Sequence, residues 1–244
     1  MNEVWENLRF FTERLRALAV SESLPLGDEG YCVSTGAYYE NWVYFPERVT
    51  LEAVNDVVRF FGERDVAFAW PVKDGRNDVL ENGGLLYAGD LAAMSLDPAK
   101  ATLRVKEGVT FERVTRELSG EWACTAWRGF GGEDGAPESY CRFVRALVDD
   151  AENVSVHLAK YEGENAGVFA LTNEAERVGV YYFATVPDFR RKGIASAMMS
   201  EICRLSGGRK IVLQSTPMGL KFYRAFGFEE LCKISVYSTE NDIL

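Results

Sequence analysis

The chain has 244 residues, of which 47% are hydrophobic and 26% charged, and its formal net charge is -10. This is the composition of a folded globular protein, with enough apolar side chains for one large core or two ordinary modules. The acidic balance argues against nucleic acid as a partner, because phosphate binding needs a basic surface. It is compatible with solubility alone or with a cationic substrate.

Targeting and cysteine signals are weak throughout the sequence. The longest apolar runs, such as YYFATV, are far shorter than the roughly twenty residues that cross a bilayer, and the N-terminal MNEVWENLRFF carries acids where a signal peptide carries lysines. The five cysteines are an odd number without a C-x-x-C pair, and the chain has one histidine. This pattern argues against a disulfide framework and a zinc site. We therefore expect a cytoplasmic protein with no bound metal and no membrane contact.

The first hundred residues contain two helix-strand units, RFFGERDVAFAW (59–70) and VLENGGLLYAGDLAAM (79–94). They align with RLSGGRKIVLQS (204–215) and FYRAFGFEELCKISVY (222–237), at offsets that differ by only two residues. Either two ordinary helix-strand units match by chance, or the chain is an internal duplication in which LDPAK (96–100) is the linker.

The middle of the chain predicts one strand, two helices and a hairpin. ATLRVKEG (101–108) is a candidate strand, and residues 110–130 and 137–152 read as two helices separated by the flexible GGEDGA. NVSVHLAKY (153–161) then alternates apolar and polar residues, and it is followed by the turn EGEN and the apolar AGVFALT (166–172). This second pattern predicts a β-hairpin, with His157 on the face opposite the apolar side chains.

The last third predicts a parallel crossover. VGVYYFATV (178–186) is rich in β-branched and aromatic residues and favours a buried strand, and apolar residues at helical spacing run from Gly193 to the stop at 206–208. KIVLQST (210–216) predicts the next strand, and Pro217 suits the first turn of another helix. A strand, helix and strand in this order predict two parallel neighbours joined by a right-handed connection. The final apolar segment, FEELCKISVY, would complete the sheet.

A basic turn lies between that buried strand and its helix, in FRRKGIASAMM (189–199). Helix first-turn N–H groups lack intrahelical partners and carry partial positive charge, so they can hold a diphosphate. Gly193 and Ala195 let the backbone approach closely, and Arg190, Arg191 and Lys192 add charge. A solvated basic turn is the simpler alternative.

The longer segment FATVPDFRRKGIASAMM resembles motif A of the GCN5-related N-acetyltransferase (GNAT) superfamily, with its Arg/Gln-x-x-Gly-x-Gly/Ala signature. LKFYRAFGFEE (220–230) resembles motif B, in which a helix carries a tyrosine before a Gly-Phe turn. The resemblance covers about residues 100–240. It implies an α/β (α+β) GNAT fold with a mixed central sheet flanked by helices.

The resemblance also implies roles for individual residues. The strand segment Phe183, Ala184, Thr185 and Val186 would pair through its backbone with the pantetheine arm of acetyl-CoA. The turn would wrap the pyrophosphate with Arg190, Arg191, Lys192, Gly193, Ile194, Ala195 and Ser196. Tyr223 would protonate the departing thiolate.

The sequence departs from the family pattern in places. Many relatives have Asn where this chain has QST, so Ser215 or Thr216 would cap the next helix or contact the cofactor. The strand before motif A has no acid, which leaves water, a backbone carbonyl, an acid of GGEDGA, or no general base at all. His157 suits a half-exposed sheet position better than a base. Trp122, Trp127 and Phe130 either bind an acceptor or seal the core beneath the glycine-rich loop.

These patterns predict two modules, a degenerate GNAT-like copy at 1–98 and a catalytic domain at 99–244. The first copy has Leu80 in the position of Tyr223 and has no Arg-x-x-Gly-x-Ala turn, so it should not bind a second coenzyme. We expect acetyl transfer from acetyl-CoA to a small-molecule or peptide amine by a monomer or homodimer. An acyl-CoA-binding regulatory module without turnover is the alternative.

Overall fold

The computed structural model describes residues 2–73, 75–133 and 135–240. Within these ranges the helices are α1 (Asn2–Ala17), α2 (Leu51–Gly62), α3 (Asp78–Asn82), α4 (Ser119–Gly129), α5 (Glu138–Asp149), α6 (Ile194–Leu205) and α7 (Pro217–Phe226). The strands are β1 (Glu22–Leu26), β2 (Gly30–Ser34), β3 (Asn41–Tyr44), β4 (Trp70–Lys73), β5 (Leu86–Leu96), β6 (Val109–Arg113), β7 (Val154–Tyr161), β8 (Glu164–Asn173), β9 (Arg177–Thr185), β10 (Lys210–Ser215) and β11 (Glu229–Ser238).

Eight strands form one mixed sheet in the order β4-β11-β5-β10-β9-β8-β7-β6. Its single parallel pair is β9 with β10, and the other neighbours are antiparallel. A small antiparallel sheet, β1-β2-β3, meets the large one through a parallel bridge between Trp42 and Ala69. The predicted fold class, a mixed central sheet flanked by helices, is confirmed.

Helices cover both faces of the large sheet because its strands are apolar on both sides. One core cluster joins α1, α4 and α5 to the sheet and contains Phe11, Trp122 and Phe143. A second cluster joins α6 and α7 to the opposite face and contains Met198 and Tyr223. The strand between them, β9, therefore presents side chains to two different helical layers.

The hairpin, the parallel crossover and the two C-terminal helices agree with the sequence predictions, but the strand predicted at 101–108 is wrong. This segment is irregular, with Leu103 and Val105 exposed, and the first strand of the C-terminal half is β6. The helix predicted over 110–130 is likewise too long, since β6 occupies its start. Pairing of Phe111 opposite Ala159 in β7 overrides the local helical pattern there.

FEELCKISVY joins the sheet as β11, as predicted, but it does not pair with β10. A strand from the first half lies between β10 and β11. That strand, β5, pairs with both neighbours. Leu86 lies opposite Ser238, and Ser95 lies opposite Glu229, so β5 and β11 pair antiparallel along almost their whole lengths. Hydrogen-bond partners so distant in sequence cannot be deduced from local patterns.

The element order of the first half recurs in the second. Helix, three strands, helix, strand, helix and strand run from α1 to β5, and the same order runs from α5 to β11. Each half forms an antiparallel three-stranded unit followed by a parallel contact to the next strand. The predicted boundary at residue 98 falls between strands of one shared sheet, and it remains a prediction.

Candidate functional site

The two parallel strands β9 and β10 separate along their length. They pair at three positions, of which Gly179 opposite Val212 is the last. Beyond it, β9 changes register against β8 between Val168 and Ala170, and Tyr182 has a φ of 52°, which a non-glycine residue rarely adopts. The edge of β9 that faces β10 therefore has no partner strand over 180–185 in the described chain.

This open edge leads into the start of α6. Gly193 is the N-cap residue, with a φ of 83° and no side-chain hydrogen bond to the first turn. Helix geometry leaves the N–H groups at this end without intrahelical partners, and the first turn contains no acid. Arg191 has a φ of 61°, so the turn carries two left-handed residues. The result is a local concentration of open backbone donors.

A cavity of about 230 Å³ lies in front of this turn. Besides Phe189 and Phe222 of α7, its lining contains seven of the predicted cofactor residues: Thr185, Arg190, Arg191, Gly193, Ile194, Ala195 and Ser196. Arg191 and Lys192 are exposed, and the Lys192 ammonium lies 5.1 Å from the centre of the Phe189 ring. The geometry fits an anionic group at the head of an extended chain.

Arg190 differs from its two neighbours in what its side chain contacts. Its Nε donates to the Thr185 carbonyl at 3.1 Å, and a terminal nitrogen donates to the Gly129 carbonyl at 3.0 Å. These bonds tie the end of β9 to the end of α4, where Gly129 approaches Ala184 too closely for a Cβ atom. Arg190 therefore positions the turn, and its predicted contact with the coenzyme remains a prediction.

Lys106 is a cation at the turn that the sequence did not reveal. It belongs to the irregular segment before β6, which crosses α6 where the Arg104 N–H donates to Ser200 Oγ at 2.7 Å. Carbon atoms of the Lys106 side chain lie 3.8 Å from where a Cβ on Gly193 would stand, and its Nζ lies 5.3 Å from the centre of the Tyr161 ring. The segment thus brings a lysine side chain next to the start of α6.

Lys106→Ala should weaken the binding of CoA by about fivefold, because a partly exposed cation near the surface contributes up to about 1 kcal/mol. The loss should shrink as salt is raised. Lys100→Ala is the matched control, since Lys100 is exposed at the start of the same segment. Titration calorimetry at two ionic strengths measures both. Equal affinities for the two variants would show that Lys106 does not face the ligand.

Tyr223 lies beside the open edge, on the α7 face of the sheet. Its ring centre is 6.0 Å from that of Phe183 in β9 and 5.4 Å from that of Phe228. Gly219, one turn earlier, makes room for the ring, because a Cβ there would stand 2.9 Å from Tyr223. Burial raises the pKa of Tyr223 well above the ordinary value for a phenol. Its hydroxyl is therefore protonated throughout the physiological range and available as a donor.

The side chains at the end of β10 do not cap α7. Thr216 is the N-cap residue but makes no side-chain bond to the helix, and the Ser215 hydroxyl donates to the Thr216 carbonyl at 2.8 Å. Of the two roles predicted for this pair, helix capping by the side chain is wrong. A contact between Ser215 and the cofactor remains a prediction, and the Ser215 side chain is buried.

The aromatic residues around the break between α4 and α5 mostly seal the core. Trp122 is fully buried and donates to the His157 carbonyl at 3.0 Å. Trp127 lies directly under Gly132, where a Cβ would overlap its indole ring. Phe130 is the exception, being 60% exposed. Of the loop acids, Glu133 is exposed, and Asp134 lies outside the described residues.

His157 is not the half-exposed sheet residue that its strand pattern predicted. Only 6% of its surface is exposed, and its ring stacks on Phe169 with 4.8 Å between centres. Desolvation, assisted by the Arg113 charge, lowers the pKa of His157 to about 4. The pattern failed because helices cover both faces of this strand.

A carboxyl and tyrosine pair that the sequence did not predict lies at β9. Tyr182, at the distorted point of β9, donates its hydroxyl proton to Glu40 Oε2 at 2.7 Å. Glu40 precedes β3, so a residue of the first half reaches the place where β9 leaves β10. Burial raises the pKa of Glu40 to about 7, although the hydrogen bond from Tyr182 opposes this shift. No local signal marks a contact across 142 positions.

Two other kinds of site are absent from the described residues. Within 2–73, 75–133 and 135–240, no group of three or more His, Cys, Asp or Glu side chains is arranged to hold a metal ion. In the same part of the chain, no helix combines the length and the apolar character needed to cross a membrane.

The mixed sheet flanked by helices, open between β9 and β10 beside the glycine turn, agrees with the fold that the resemblance to the GCN5-related N-acetyltransferases implies. Residues 152–230 match the model of the Acetyltransferase (GNAT) domain family. That segment, which holds the open edge, the turn and Tyr223, is therefore a GNAT domain. No curated protein sequence matches the chain.

Solved structures share the fold at low identity. A GCN5-related N-acetyltransferase from Kribbella flavida has a TM-score of 0.66 and 14% identity, covering 96% of this chain and 94% of that one. A conserved protein of unknown function from Staphylococcus epidermidis ATCC 12228 has a TM-score of 0.66 and 12% identity, with coverages of 91% and 94%. A tandem GNAT protein of the clavulanic acid pathway has a TM-score of 0.55 and 13% identity, with coverages of 94% and 86%. At these identities the likeness concerns the fold.

Proposed function

We propose that this protein is an N-acetyltransferase that moves an acetyl group from acetyl-CoA to an amine by direct attack. The observation that carries the proposal is the open edge of β9, which runs into the uncapped turn at Gly193 with Tyr223 beside it. Tyr223, the open edge and the turn lie in the same order as the acyl, pantetheine and pyrophosphate parts of the coenzyme.

Different groups of the chain would bind different parts of the coenzyme. Backbone groups of Phe183 and Thr185 would bind the pantetheine amides as an added strand binds a sheet edge. The N–H groups from Ile194 to Ser196, with the charges of Arg191, Lys192 and Lys106, would hold the pyrophosphate. When bound, the coenzyme supplies an activated thioester.

The presence of Tyr223 favours an enzyme that transfers the acetyl group over a module that only binds acyl-CoA. An amine that attacks the thioester forms an amide bond and releases a thiolate, and a buried neutral phenol can give its proton to that sulfur. A protein that merely senses acyl-CoA needs no such donor. The regulatory-module alternative is favoured only by the absence of an acid from β9 itself.

The direct test is thiol release from acetyl-CoA in the presence of a panel of small-molecule and peptide amines. We expect release that depends on one class of amine and yields the acetylated amine by mass spectrometry. Tight binding of acetyl-CoA without acetylation of any amine in a broad panel would favour the regulatory module. Failure to bind acetyl-CoA at all would contradict both.

We propose further that the first half is a degenerate copy of the second. The start of its helix α2 is closed, because the Thr50 hydroxyl accepts the Ala53 N–H at 3.2 Å and Glu52 lies in the first turn. Both features disfavour an anion at that helix end. Leu80, aligned with Tyr223, is fully buried and apolar.

One equivalent of CoA should therefore bind per chain. Titration calorimetry on the full chain gives this number directly, and the Gly193→Val variant should lose the single site. A stoichiometry of two in the unmodified chain would contradict a degenerate first half.

A further inference from the structure

The first half of the chain brings a carboxyl group to the point where β9 is distorted. The loop before β3 ends at Glu40, and the Glu40 carboxylate accepts the Tyr182 hydroxyl at 2.7 Å. Both residues are partly exposed. The carboxylate has no other hydrogen bond among the described residues, so its second oxygen remains available to a ligand.

Glu40 and Tyr223 lie on opposite flanks of the same strand edge. Tyr182 packs in the layer of α4 and α5, with its ring 5.6 Å from Trp122 and 6.1 Å from Phe143. The next residue, Phe183, packs on the other face against Tyr223. The strand thus places a carboxylate on one side of its open edge and a phenol on the other.

The backbone of Tyr182 is held in an unfavourable conformation to make this contact. A φ of 52° costs a non-glycine residue of the order of 1 kcal/mol or more and persists where surrounding contacts demand it. Neighbouring Tyr181 is fixed by its own bond, donating to Asn7 Oδ1 of α1 at 2.9 Å. The two consecutive tyrosines therefore both reach into the layer formed by the first half and α4.

We propose, on the basis of the proposed acetyltransferase function, that Glu40 is the general base that takes the proton from the acceptor amine and that Tyr182 positions it. As the amine nitrogen bonds to the thioester carbon, its proton passes to the Glu40 carboxylate. As the carbon–sulfur bond breaks, the sulfur takes the proton of Tyr223. Solvent then carries the proton from Glu40 back to the Tyr223 oxygen, and both groups are restored.

The surroundings of Glu40 suit this role. The titratable groups that face it are the phenols of Tyr182 in β9 and Tyr140 in α5, and no charged side chain among the described residues contributes to its pKa. Burial raises that pKa to about 7, so the base form becomes available as pH rises through neutrality. Tyr140 and Tyr182 stay neutral, because burial raises their own pKa values.

The test is the pH dependence of kcat and kcat/KM for the unmodified protein, Glu40→Gln and Tyr182→Phe. We expect the unmodified enzyme to lose activity below about pH 7, tenfold per pH unit. Glu40→Gln should remove this acidic limb and lower kcat by about 10²-fold or more, with the Kd for CoA unchanged. Tyr182→Phe should move the limb to higher pH, because the lost hydrogen bond favours the ionised carboxylate.

Glu47→Gln is the matched control, since Glu47 is an exposed first-half carboxylate that accepts the Asp28 N–H at 3.0 Å, and it should keep the normal profile. An unmodified kcat and limb in Glu40→Gln would overturn the proposal while leaving the acetyltransferase function intact. Absence of acetyl transfer by the unmodified protein would instead overturn the proposed function, and the base role with it.

A second measurement does not depend on turnover. The folded-state pKa of Glu40 lies above its unfolded value, so the native state binds the extra proton between about pH 4.5 and 7. The stability of the unmodified protein relative to Glu40→Gln should therefore fall as pH rises across this window. Urea unfolding at pH 5 and pH 8 measures the difference. A constant difference would show that the pKa of Glu40 is not raised in the folded protein, and would also overturn the proposal.

Discussion

Gly193→Val should abolish measurable CoA binding, with a Kd raised by at least about 10²-fold. A valine side chain would stand against Lys106, whose carbon atoms lie 3.8 and 4.0 Å from its Cβ, and would crowd the helix start that the proposed function assigns to the pyrophosphate. Valine would also resist the φ of 83° that Gly193 adopts, and any relaxation would rotate the open donors away from the ligand. Titration calorimetry with CoA gives the affinity.

Gly208→Val provides the matched control. Gly208 has a φ of 84°, follows the other end of the same helix, and has open space where a Cβ would stand. Both variants impose the same backbone cost of about 1–2 kcal/mol, which lowers Tm by a few degrees in a chain of this size. Only Gly193→Val should lose CoA. Normal binding by that variant would refute the turn as the pyrophosphate site.

The turn could be predicted from the sequence because its parts are contiguous. The strand, the basic residues, the glycine and the helix follow one another within 178–205, and local periodicity and helix-start rules describe such a segment. The side-chain role of Arg190 could not be predicted, since its acceptor at Gly129 belongs to a distant helix. Local patterns therefore predict the turn but not the side-chain contacts that hold it.

The features that local sequence patterns do not predict are those that depend on contacts with the first half of the chain. The strand β5 enters the sheet between β10 and β11, and Glu40 meets Tyr182 across 142 positions. The aligned repeats 79–94 and 222–237 do contain β5 and β11, yet alignment does not state that these strands pair with each other. Strand pairing is decided by the tertiary packing of whole layers, which no local pattern records.

The position of β5 in the sheet and the contact between Glu40 and Tyr182 are connected. Because β5 completes the sheet beside β10, the first half is held against the domain that carries the turn. The same half then delivers Glu40 to the α4 and α5 side of β9, while α7 delivers Tyr223 to the other side. If the proposed functions hold, a first half without an anion site of its own would thereby contribute to the site of the second.

Tyr223→Phe should lower kcat by about 10²- to 10⁴-fold while changing the Kd for CoA by less than about twofold. The ring would still fill its space against Phe183 and Phe228, so packing and folding should persist. The hydroxyl makes no hydrogen bond to any described residue, so its removal leaves no buried partner unsatisfied. What is lost, on the proposed function, is the proton for the departing sulfur.

Tyr237→Phe is the control for removing a phenol from this fold. Tyr237 is fully buried in the cluster under α2, accepts the Asn77 N–H at 2.7 Å and donates to Glu81, so its loss should cost about 1 kcal/mol of stability without changing kcat. Thiol release at saturating acetyl-CoA and amine measures kcat for both variants. The opposite ranking, with Tyr223→Phe active and Tyr237→Phe impaired, would remove Tyr223 from the chemistry. Restored turnover of Tyr223→Phe with an acyl donor whose thiol is more acidic would support proton donation, since a better leaving group needs less help.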